Sequence, residues 1–514
     1  MWITRRALSV LVCVLLPHAG VQARDDEVIA DPELGGSPSV APAAPAVEPT
    51  GFAAEARLVL HSRFGADIQH GDPHEEVWES TSIAALEATL RRSDTLRIGL
   101  GVRARYHAAW LAAPVADAVA GRFEFDAAIT AGYVDIRLGD NVHLQLGYQP
   151  VQLGRFDFIS GIDVLSSFDL REGPATMPDA YQLAQLAVRV DYNPVDWLAL
   201  RVLYVPLFTP HLISLVESDY GVAHPRQGSI DNLSSMLGIA ELLATYLSRA
   251  DRERLAQSSL SVIAPEPNLS AQQAAFRASI NGLAGELAFT AATALEHLPA
   301  VYVARDAIEL LGDPERVAAL FANVAQPVRV EYGRFGLLAL DGSLDLAPFS
   351  LGFEAALQWH RTLYTLGTGS YPETLPLPDT ADIVHVGAKL DYVNQDEWLI
   401  TLETFADYTL NTPRDPSRGW MFLAAGRYLA GAALVTIWQP FSALHVALGA
   451  LVLNGPSLIL APRIGYEFLA GWEIELGAIA VEGPVPPLYA TPRIALGSVW
   501  STTDQVFIGV RYVM

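Results

Sequence analysis

Apolar and polar residues alternate along most of the chain, and the alternation continues to its last residue. Val506, Ile508, Val510, Tyr512 and Met514 share one face of a strand at the end of the sequence. Alternation up to the terminus, with an aromatic residue near the end, is typical of the closing strand of a transmembrane β-barrel. A strand that closes a soluble β-sandwich would show the same pattern, so other segments must decide between the two.

Such segments recur from residue 52 onward, each about ten to fourteen residues long. Every second residue in them is apolar and faces away from charged or amide side chains. The clearest examples are segments 96–106, 142–148, 186–192, 398–408 and 472–476. A lipid-facing exterior and a wet interior require this pattern. The sequence therefore predicts an all-β fold, an antiparallel transmembrane β-barrel of about 18 strands, with a range of about 16 to 20.

The connections between these strands alternate in length. Tight turns are predicted at residues 139–141, 193–196 and 394–396. Long connections are predicted at residues 154–181, 206–273, 297–326 and 362–381. Short periplasmic turns on one rim and long external loops on the other are typical of bacterial outer-membrane barrels. Region 418–442 leaves the strand count open, because it could form one long strand or two short ones around residues 429–431.

Two of the long connections contain helical patterns, at residues 232–260 and 306–322. Structured connections of this length either decorate the outer surface or fold into the barrel as a constriction. We expect one of them, or connection 154–181, to enter the pore. The candidate residues of such a constriction loop are Arg155, Asp157, Asp163, Asp169 and Arg171.

The N-terminal region predicts export. Two arginines, an apolar run and a small-residue site indicate a secretory signal peptide at residues 1–23, which places the protein on the Sec pathway. Residues 24–50 are rich in Ala, Pro and acidic residues and predict a disordered spacer, so the barrel would comprise residues 51–514. Cys13, the only cysteine, lies inside the signal, and the mature chain is therefore expected to contain no disulfide.

Tryptophans and charge refine this interpretation. The tryptophans near predicted strand ends would form an interfacial girdle: Trp78, Trp197, Trp398, Trp438, Trp472 and Trp500. The chain has 33 basic and 57 acidic residues, a net charge of −24. This excess argues against binding to nucleic acid or to an anionic membrane surface, and it is compatible with acidic external loops.

One stretch resembles a known family. Residues 147–157 read Gly-Tyr-Gln-Pro-Val-Gln-Leu-Gly-Arg-Phe-Asp, and segments 163–165, 169–171 and 203–206 follow. Residues 276–280 and 286–289 fit the next hairpin of the same pattern. The stretch resembles a Gram-negative porin-like outer-membrane family of unassigned substrate. The resemblance, clearest over residues 142–361, implies a barrel of the porin class and no particular substrate.

The polar face of each strand is expected to line the pore. The predicted pore-lining basic residues are Arg57, Arg63, Arg97, Arg103, Arg105, Arg189, Arg201, Arg463, Arg493 and Arg511. The predicted pore-lining acidic residues are Glu331, Asp391, Glu403 and Asp407. Closure of the barrel would join the first and last strands, so that the arginines form a positive wall facing the acidic residues. Alternatively, these charges pair with one another and merely solvate a wide lumen.

Enzyme chemistry finds little support in the sequence. Five histidines lie singly on predicted strands: His61, His143, His360, His385 and His445. A lone luminal histidine is more often a pore-lining residue than a catalytic base. The acidic cluster at residues 67–76 is interpreted as an exposed patch, and no catalytic residue, metal site or cofactor is predicted.

The sequence therefore predicts an outer-membrane channel for passive diffusion of small polar or charged solutes. Two alternatives remain: a channel for hydrophobic compounds, and a non-conducting barrel that acts as an adhesin or scaffold. The expected partners are outer-membrane lipid and lipopolysaccharide, small solutes, and the barrel-assembly machinery through the C-terminal strand. The oligomeric state is not predicted.

Overall fold

The computed structural model describes residues 53–67, 77–93, 95–111, 122–157, 160–169, 182–211, 271–282, 284–298, 300–303, 328–367, 377–394, 398–420, 427–454, 457–482 and 504–514. The predicted signal peptide, the spacer and both predicted helices lie outside these residues. No helix in the described part of the chain is long and apolar enough to cross a membrane.

Most of the described residues lie in strands. The first twelve strands are β1 (Ala53–Asp67), β2 (Val77–Ser93), β3 (Leu96–Leu111), β4 (Arg122–Leu138), β5 (Val142–Gln149), β6 (Ser167–Phe168), β7 (Gln182–Leu183), β8 (Gln185–Val195), β9 (Leu198–Val205), β10 (Gln273–Gly282), β11 (Gly285–Leu295) and β12 (Ala300–Val303). The others are β13 (Val328–Glu331), β14 (Arg334–Leu346), β15 (Phe349–Gly367), β16 (Leu377–Asn394), β17 (Trp398–Thr409), β18 (Arg418–Trp420), β19 (Tyr428–Phe441), β20 (Leu444–Leu453), β21 (Ser457–Leu469), β22 (Trp472–Glu482) and β23 (Gln505–Val513).

Eighteen of these strands close into one antiparallel barrel, as the sequence predicts. Each barrel strand pairs with the next barrel strand along the chain, and β23 pairs with β1 to close the sheet. The closing register places Val59 opposite Val513 and Asp67 opposite Gln505. Strands β6 and β7 pair with each other, as do β12 and β13, and the three-residue β18 attaches to the end of β15.

The two faces of the barrel differ in polarity. On β23, Val506, Ile508 and Val510 are 37–48% exposed, whereas Gln505 and Phe507 are nearly fully buried. The same division holds on the other strands, where large apolar side chains are exposed outside and charged or amide side chains are buried inside. A surface this apolar requires an apolar surrounding, which a bilayer provides.

The turns follow the prediction with local differences. Gly139-Asp140-Asn141 form the tight turn between β4 and β5, and Gly139 has a φ of 68°, which favours glycine. The predicted turn at residues 193–196 lies later, after Val195, because Asn193 still donates a hydrogen bond to Asn141 O at 2.8 Å. The predicted connection 362–381 is shorter, because residues 362–365 pair with residues 377–380 and extend both strands.

The uncertain region 418–442 contains one full barrel strand. Residues 429–431 lie inside β19 and pair with β17, so they do not form a turn. Residues 410–420 instead fold back and bring β18 to the end of β15, where Trp420 is fully buried. Trp420 packs against Ala381 and Ile383 and donates its indole N–H to Asn411 O at 3.1 Å.

Aromatic side chains cluster at the rim that carries the short turns. The rings of Trp398 and Trp438 stack with centroids 5.6 Å apart, and those of Trp472 and Tyr512 lie 4.7 Å apart. Trp197 is exposed at the same rim. The side chains of Trp78 and Trp500 lie outside the described residues. The arrangement fits an interfacial girdle at this rim.

Candidate functional site: the barrel interior and the segment that crosses it

A segment of the chain that follows β5 lies inside the barrel. We call it the inner segment and define it as residues 150–157 and 160–169. Its contacts extend from Arg103 on β3 to Glu403 on β17. Since β5 and β17 are eight strands apart in a barrel of eighteen, the segment reaches nearly the opposite wall.

One side of the inner segment is apolar and packs against the wall. Val151, Leu153, Ile162 and Leu165 are at most 3% exposed. They form a hydrophobic core with inward-facing residues of β8–β11, β14 and β15, namely Ala187, Leu203, Val205, Ala275, Ala294, Phe335, Leu337, Ala339 and Ala356. Many of these wall residues are alanines, and their small side chains leave room for the segment.

A buried carboxylate on β15 holds the middle of the inner segment. Glu354 accepts hydrogen bonds from Gly161 N at 2.8 Å and from Ser160 Oγ at 3.0 Å. His385 lies behind it, with Nε2 2.7 Å from Glu354 Oε1 and Nδ1 2.6 Å from Asp407 Oδ1. Since both ring nitrogens face carboxylates, both are placed to donate. Gln358 adds a hydrogen bond to Gly161 O at 2.6 Å.

A second polar cluster holds the start of the inner segment. Arg277 on β10 makes two hydrogen bonds to Asp341 on β14, at 2.5 and 2.6 Å, and also donates to Leu153 O at 3.2 Å. Arg155 of the segment pairs with Glu286 on β11 and lies 3.4 Å from Asp341. Asp341 is fully buried, so its charge depends on these guanidinium groups.

The predicted constriction residues are mostly described. Arg155, Asp157, Asp163 and Asp169 lie in the inner segment, and Arg171 lies outside the described residues. Asp169 accepts a hydrogen bond from Arg103 on β3 at 3.0 Å. Asp163 accepts hydrogen bonds from Leu153 N and Ser166 Oγ. Burial raises the pKa of Asp163 to about 6, although these hydrogen bonds lower it.

The predicted basic residues that the structure describes differ in their contacts. Arg189 and Arg201 both contact Asp191, at 2.7 and 2.6 Å. Arg63 lies over the ring of Phe507, with 5.1 Å from its Cζ to the centroid. Arg105 is buried on β3, Arg97 is half-buried on β3, and Arg57 is exposed on β1. Arg493 lies outside the described residues.

The predicted acidic residues divide into two groups. Asp391, Glu403 and Asp407 lie on the neighbouring strands β16 and β17, and Glu403 accepts a hydrogen bond from Asp157 N at 2.7 Å. Glu331 lies on β13, which belongs to the separate two-stranded sheet and not to the barrel wall. Residues 328–331 have the sequence pattern of a strand and form one, but this strand pairs with β12 and not with a strand of the barrel.

Histidines and arginines join the strands where the barrel closes. Glu475 on β22 contacts His61 on β1 at 2.7 Å and Arg463 on β21 at 3.5 Å. Glu473, two residues earlier, contacts His445 on β20 at 2.9 Å and Arg511 on β23 at 3.8 Å. We call the strands β20–β23 and β1 the seam. The two glutamates connect all five of its strands.

Two glycines make the seam contacts possible. Gly509 on β23 pairs with Glu475 on β22 and with Arg63 on β1, and a Cβ there would collide with Oε1 of Glu475. Gly465 lies between His445 and Glu473, and a Cβ there would collide with both side chains. Inward-facing glycines therefore let the carboxylates cross a neighbouring strand.

A histidine pair links the inner segment to the connections after β9 and β11. The rings of His211 and His297 stack with centroids 4.6 Å apart. Phe168 N donates to His211 Nδ1 at 3.0 Å, and His297 Nε2 lies 3.2 Å from Val164 O. Burial lowers the pKa of His211 to about 3 and that of His297 to about 4.

Several residues of this site are not among the predicted site residues. Arg277, Glu286, Asp341 and Glu354 hold the inner segment, and no role is predicted for them from the sequence. Lys389, the only lysine of the chain, is likewise not among the predicted site residues. A usable signal was present, since each lies on the polar face of an alternating strand. The described residues contain no group of three His, Cys, Asp or Glu placed to hold a metal.

The comparisons with known proteins give structural matches alone. No family model matches the sequence, and no curated protein matches it. Among solved structures, the chain is similar to Salmonella typhi OmpF in complex with daunomycin, with 7% identity, a TM-score of 0.39, and 91% of this chain and 100% of that chain covered. It is also similar to Acinetobacter baumannii OccAB3, with 11% identity, a TM-score of 0.43, and 90% and 99% covered.

A third match is the outer membrane channel DcaP of Acinetobacter baumannii, with 9% identity, a TM-score of 0.37, and 90% and 98% covered. The chain's own strand pairing, independently of these matches, gives it the fold of a closed, 18-stranded antiparallel β-barrel.

Proposed function

We propose that this protein is an outer-membrane channel for passive diffusion of small polar or charged solutes. One observation carries the proposal: a charged interior, narrowed by a segment of the same chain, lies inside a closed barrel with an apolar exposed surface. Such a barrel gives solutes a polar path through an apolar layer, and the segment restricts that path.

The inward-facing charges would set the ion preference of the channel. Asp157, Asp391 and Asp407 are partly exposed on one side, and Arg463 and Arg511 are partly exposed at the seam. A solute that passes them would meet acidic and basic groups on different parts of the wall. The pairing within each group weakens the resulting field, so we expect a modest preference.

The surroundings of the barrel follow from its surface. The apolar exterior would contact outer-membrane lipid, with lipopolysaccharide around the rim of the long connections. The aromatic rim, which carries the short turns, would lie at the level of the lipid head groups on the periplasmic side. Strand β23, which pairs with β1 at closure, would be the strand that the barrel-assembly machinery engages. We assign the protein no enzymatic activity.

Single-channel conductance of the refolded protein in a planar bilayer tests the proposal. Discrete conductance steps are expected. An anion preference in a salt gradient would support the arginines as the dominant charges, and a cation preference would support the acidic residues. Protein that is folded, as judged by heat-sensitive mobility in gels, but gives no steps would contradict the channel and favour a structural barrel or adhesin.

A channel for hydrophobic compounds is the second candidate, and one observation favours it. Ile459, Ile479, Val481 and Phe507 form a buried apolar cluster on the inner face of the seam. Apolar inward-facing side chains could support solutes with an alkyl or aromatic part. Phe507→Ser would then reduce the flux of such solutes into liposomes and leave the conductance of potassium chloride unchanged. An unchanged flux of both would contradict this candidate.

A further inference from the structure

The only lysine of the chain lies inside the barrel. Lys389 is on β16, its side chain is 9% exposed, and its register partners are Gly352 on β15 and Glu403 on β17. The other 32 of the 33 basic residues are arginines. A single ammonium group in such a chain, placed on the inner face, calls for a physical explanation.

The ammonium group lies among three carboxylates. Nζ of Lys389 is 2.6 Å from Oδ2 of Asp157, 3.4 Å from Oδ2 of Asp391 and 3.9 Å from Oε1 of Glu403. It also lies 3.5 Å from Arg155 O. These groups approach from the inner segment, from the same strand and from the next strand. An ammonium has three donors that rotate freely, whereas a guanidinium is a planar fork, so an ammonium suits this arrangement better.

Asp157 is the carboxylate that can move. It lies on the inner segment and its side chain is 49% exposed, whereas Glu403 is 2% exposed and Asp391 accepts a hydrogen bond from Thr401 Oγ1 at 2.7 Å. The backbone N–H of Asp157 also donates to Glu403 at 2.7 Å. Without the ammonium, three like charges would share the site, and repulsion would push Asp157 toward the lumen.

The rest of the inner segment is held independently of Lys389. Phe156, next to Asp157, packs into space left by Gly387, where a Cβ would lie 2.6 Å from its ring. Glu354 holds Gly161, and Arg277 holds Leu153, at sites outside the lysine cluster. Loss of the lysine should therefore change the position and charge of Asp157 and leave the segment inside the barrel.

We propose that Lys389 is a specificity-determining residue of the channel, because its ammonium holds Asp157 against the wall and offsets part of the acidic charge where the inner segment narrows the pore. This inference rests on the proposed channel function. It predicts that the charge at position 389, and not the bulk of its side chain, sets the ratio of cation to anion permeability.

Bilayer recordings of four variants test the inference. Lys389→Met keeps most of the length of the side chain and removes the charge. The ratio of cation to anion permeability should therefore rise by at least about fivefold, the factor for a single ion and one unit charge at about 4 Å in water. Lys389→Arg should stay close to wild type in this ratio. Lys389→Met combined with Asp157→Asn should return toward wild type. Asp157→Asn alone should lower the ratio, and it provides a second test at a half-exposed position if Lys389→Met does not fold.

Arg427→Met is the matched control, because Arg427 is exposed at the start of β19 and donates to the outward-facing Tyr408. It removes one positive charge from the same chain and should leave the ratio unchanged. Conducting, folded Lys389→Met protein with the wild-type reversal potential would overturn the inference and leave the channel intact. Folded wild-type protein without conductance would overturn the channel function, and this inference with it.

Discussion

The two sides of the barrel use inward-facing charges differently. On the side of β10–β17, wall residues such as Arg277, Glu354 and Lys389 bind the inner segment. At the seam, the described contacts of Glu473 and Glu475 instead run between strands of the wall. The first side is therefore stabilised by contacts with the inner segment, and the second is stabilised by contacts between side chains of the wall.

Glycines show the same difference. Gly387 leaves space for the ring of Phe156, which belongs to the inner segment. Gly509 leaves space for Glu475, which belongs to the wall itself. A glycine on the inner face therefore marks a position that another side chain passes over. Where that side chain belongs to the inner segment, the site restricts the pore, and where it belongs to the wall, the site stabilises the barrel.

Loss of a buried anchor on the segment side should have the largest effect. Arg277→Met would leave the fully buried Asp341 without its two shortest hydrogen bonds. Breaking a buried ion pair by removing one partner costs about 3–5 kcal/mol. We expect a decrease of this size in the free energy of unfolding, measured by urea titration of the refolded protein.

Arg463→Met is the matched control at the seam. Arg463 lies 3.5 Å from Glu475 and is 29% exposed, so water screens the pair and His61 remains as a partner. The expected loss is about 0–1 kcal/mol. Equal losses in the two variants would show that inward-facing charges contribute equally to stability on the two sides of the barrel.

Acid should weaken the link between the inner segment and the connections after β9 and β11. His297 has a pKa lowered to about 4 in the folded protein, against 6.5 as its ordinary value. The stability that it contributes is therefore present above pH 6.5 and is lost as the pH falls toward 4. The shift corresponds to about 3 kcal/mol.

His297→Gln should accordingly flatten the pH dependence of the unfolding midpoint between pH 6.5 and 4. Asp163 has a pKa raised to about 6, so the stability that it contributes is lost as the pH rises from 3.8 to 6, which opposes the effect of His297. Since Asp163 is present in both the wild type and His297→Gln, it does not change the difference between them. His360→Gln, at an exposed histidine of β15, is the control and should keep the wild-type slope. A wild-type slope in His297→Gln would refute the claim that His297 causes this loss of stability in acid.

A glycine substitution at the seam should have the smallest effect of the three. Gly509→Ala would place a Cβ against Glu475 Oε1 and break its contact with His61, which we expect to cost about 1–3 kcal/mol. Gly449→Ala is the control, since its Cβ would lie 3.7 Å from the nearest atom. Thermal unfolding of both variants in the same detergent measures the difference, and equal midpoints would count against the proposed crossing of Gly509 by Glu475.

The sequence predicted the barrel because alternation is a local property. The strands, the approximate strand number and the closing strand at residues 506–514 all follow from a repeat of two residues. Region 418–442 stayed uncertain because residues 418–420 have the pattern of a strand, yet pair with the end of β15. Local pattern cannot tell which edge a short strand will join.

The contacts of the interior could not be predicted in the same way. Asp157 meets Lys389 across 232 residues of sequence, and their approach depends on the register of every strand between them. The four histidines His61, His143, His385 and His445 looked isolated along the chain, but each contacts a carboxylate from another strand. Alternation gives the face on which a residue lies, and the closed barrel gives its partner.

The central claim is that the inner segment reaches the wall at β16, and a zero-length cross-link tests it most directly. Lys389 is the only lysine, and its Nζ lies 2.6 Å from Asp157 Oδ2. A water-soluble carbodiimide, which joins a carboxylate to an amine without a spacer, should therefore link these two residues in the folded protein.

Peptide mass spectrometry would identify the linked pair, and Asp157→Asn should abolish it. Links from Lys389 to Asp391 or Glu403 would form wherever the segment lies, since those residues are on β16 and on the adjacent strand β17. We expect the link between Asp157 and Lys389. Folded protein that gives the links within the wall but none to Asp157 would contradict it.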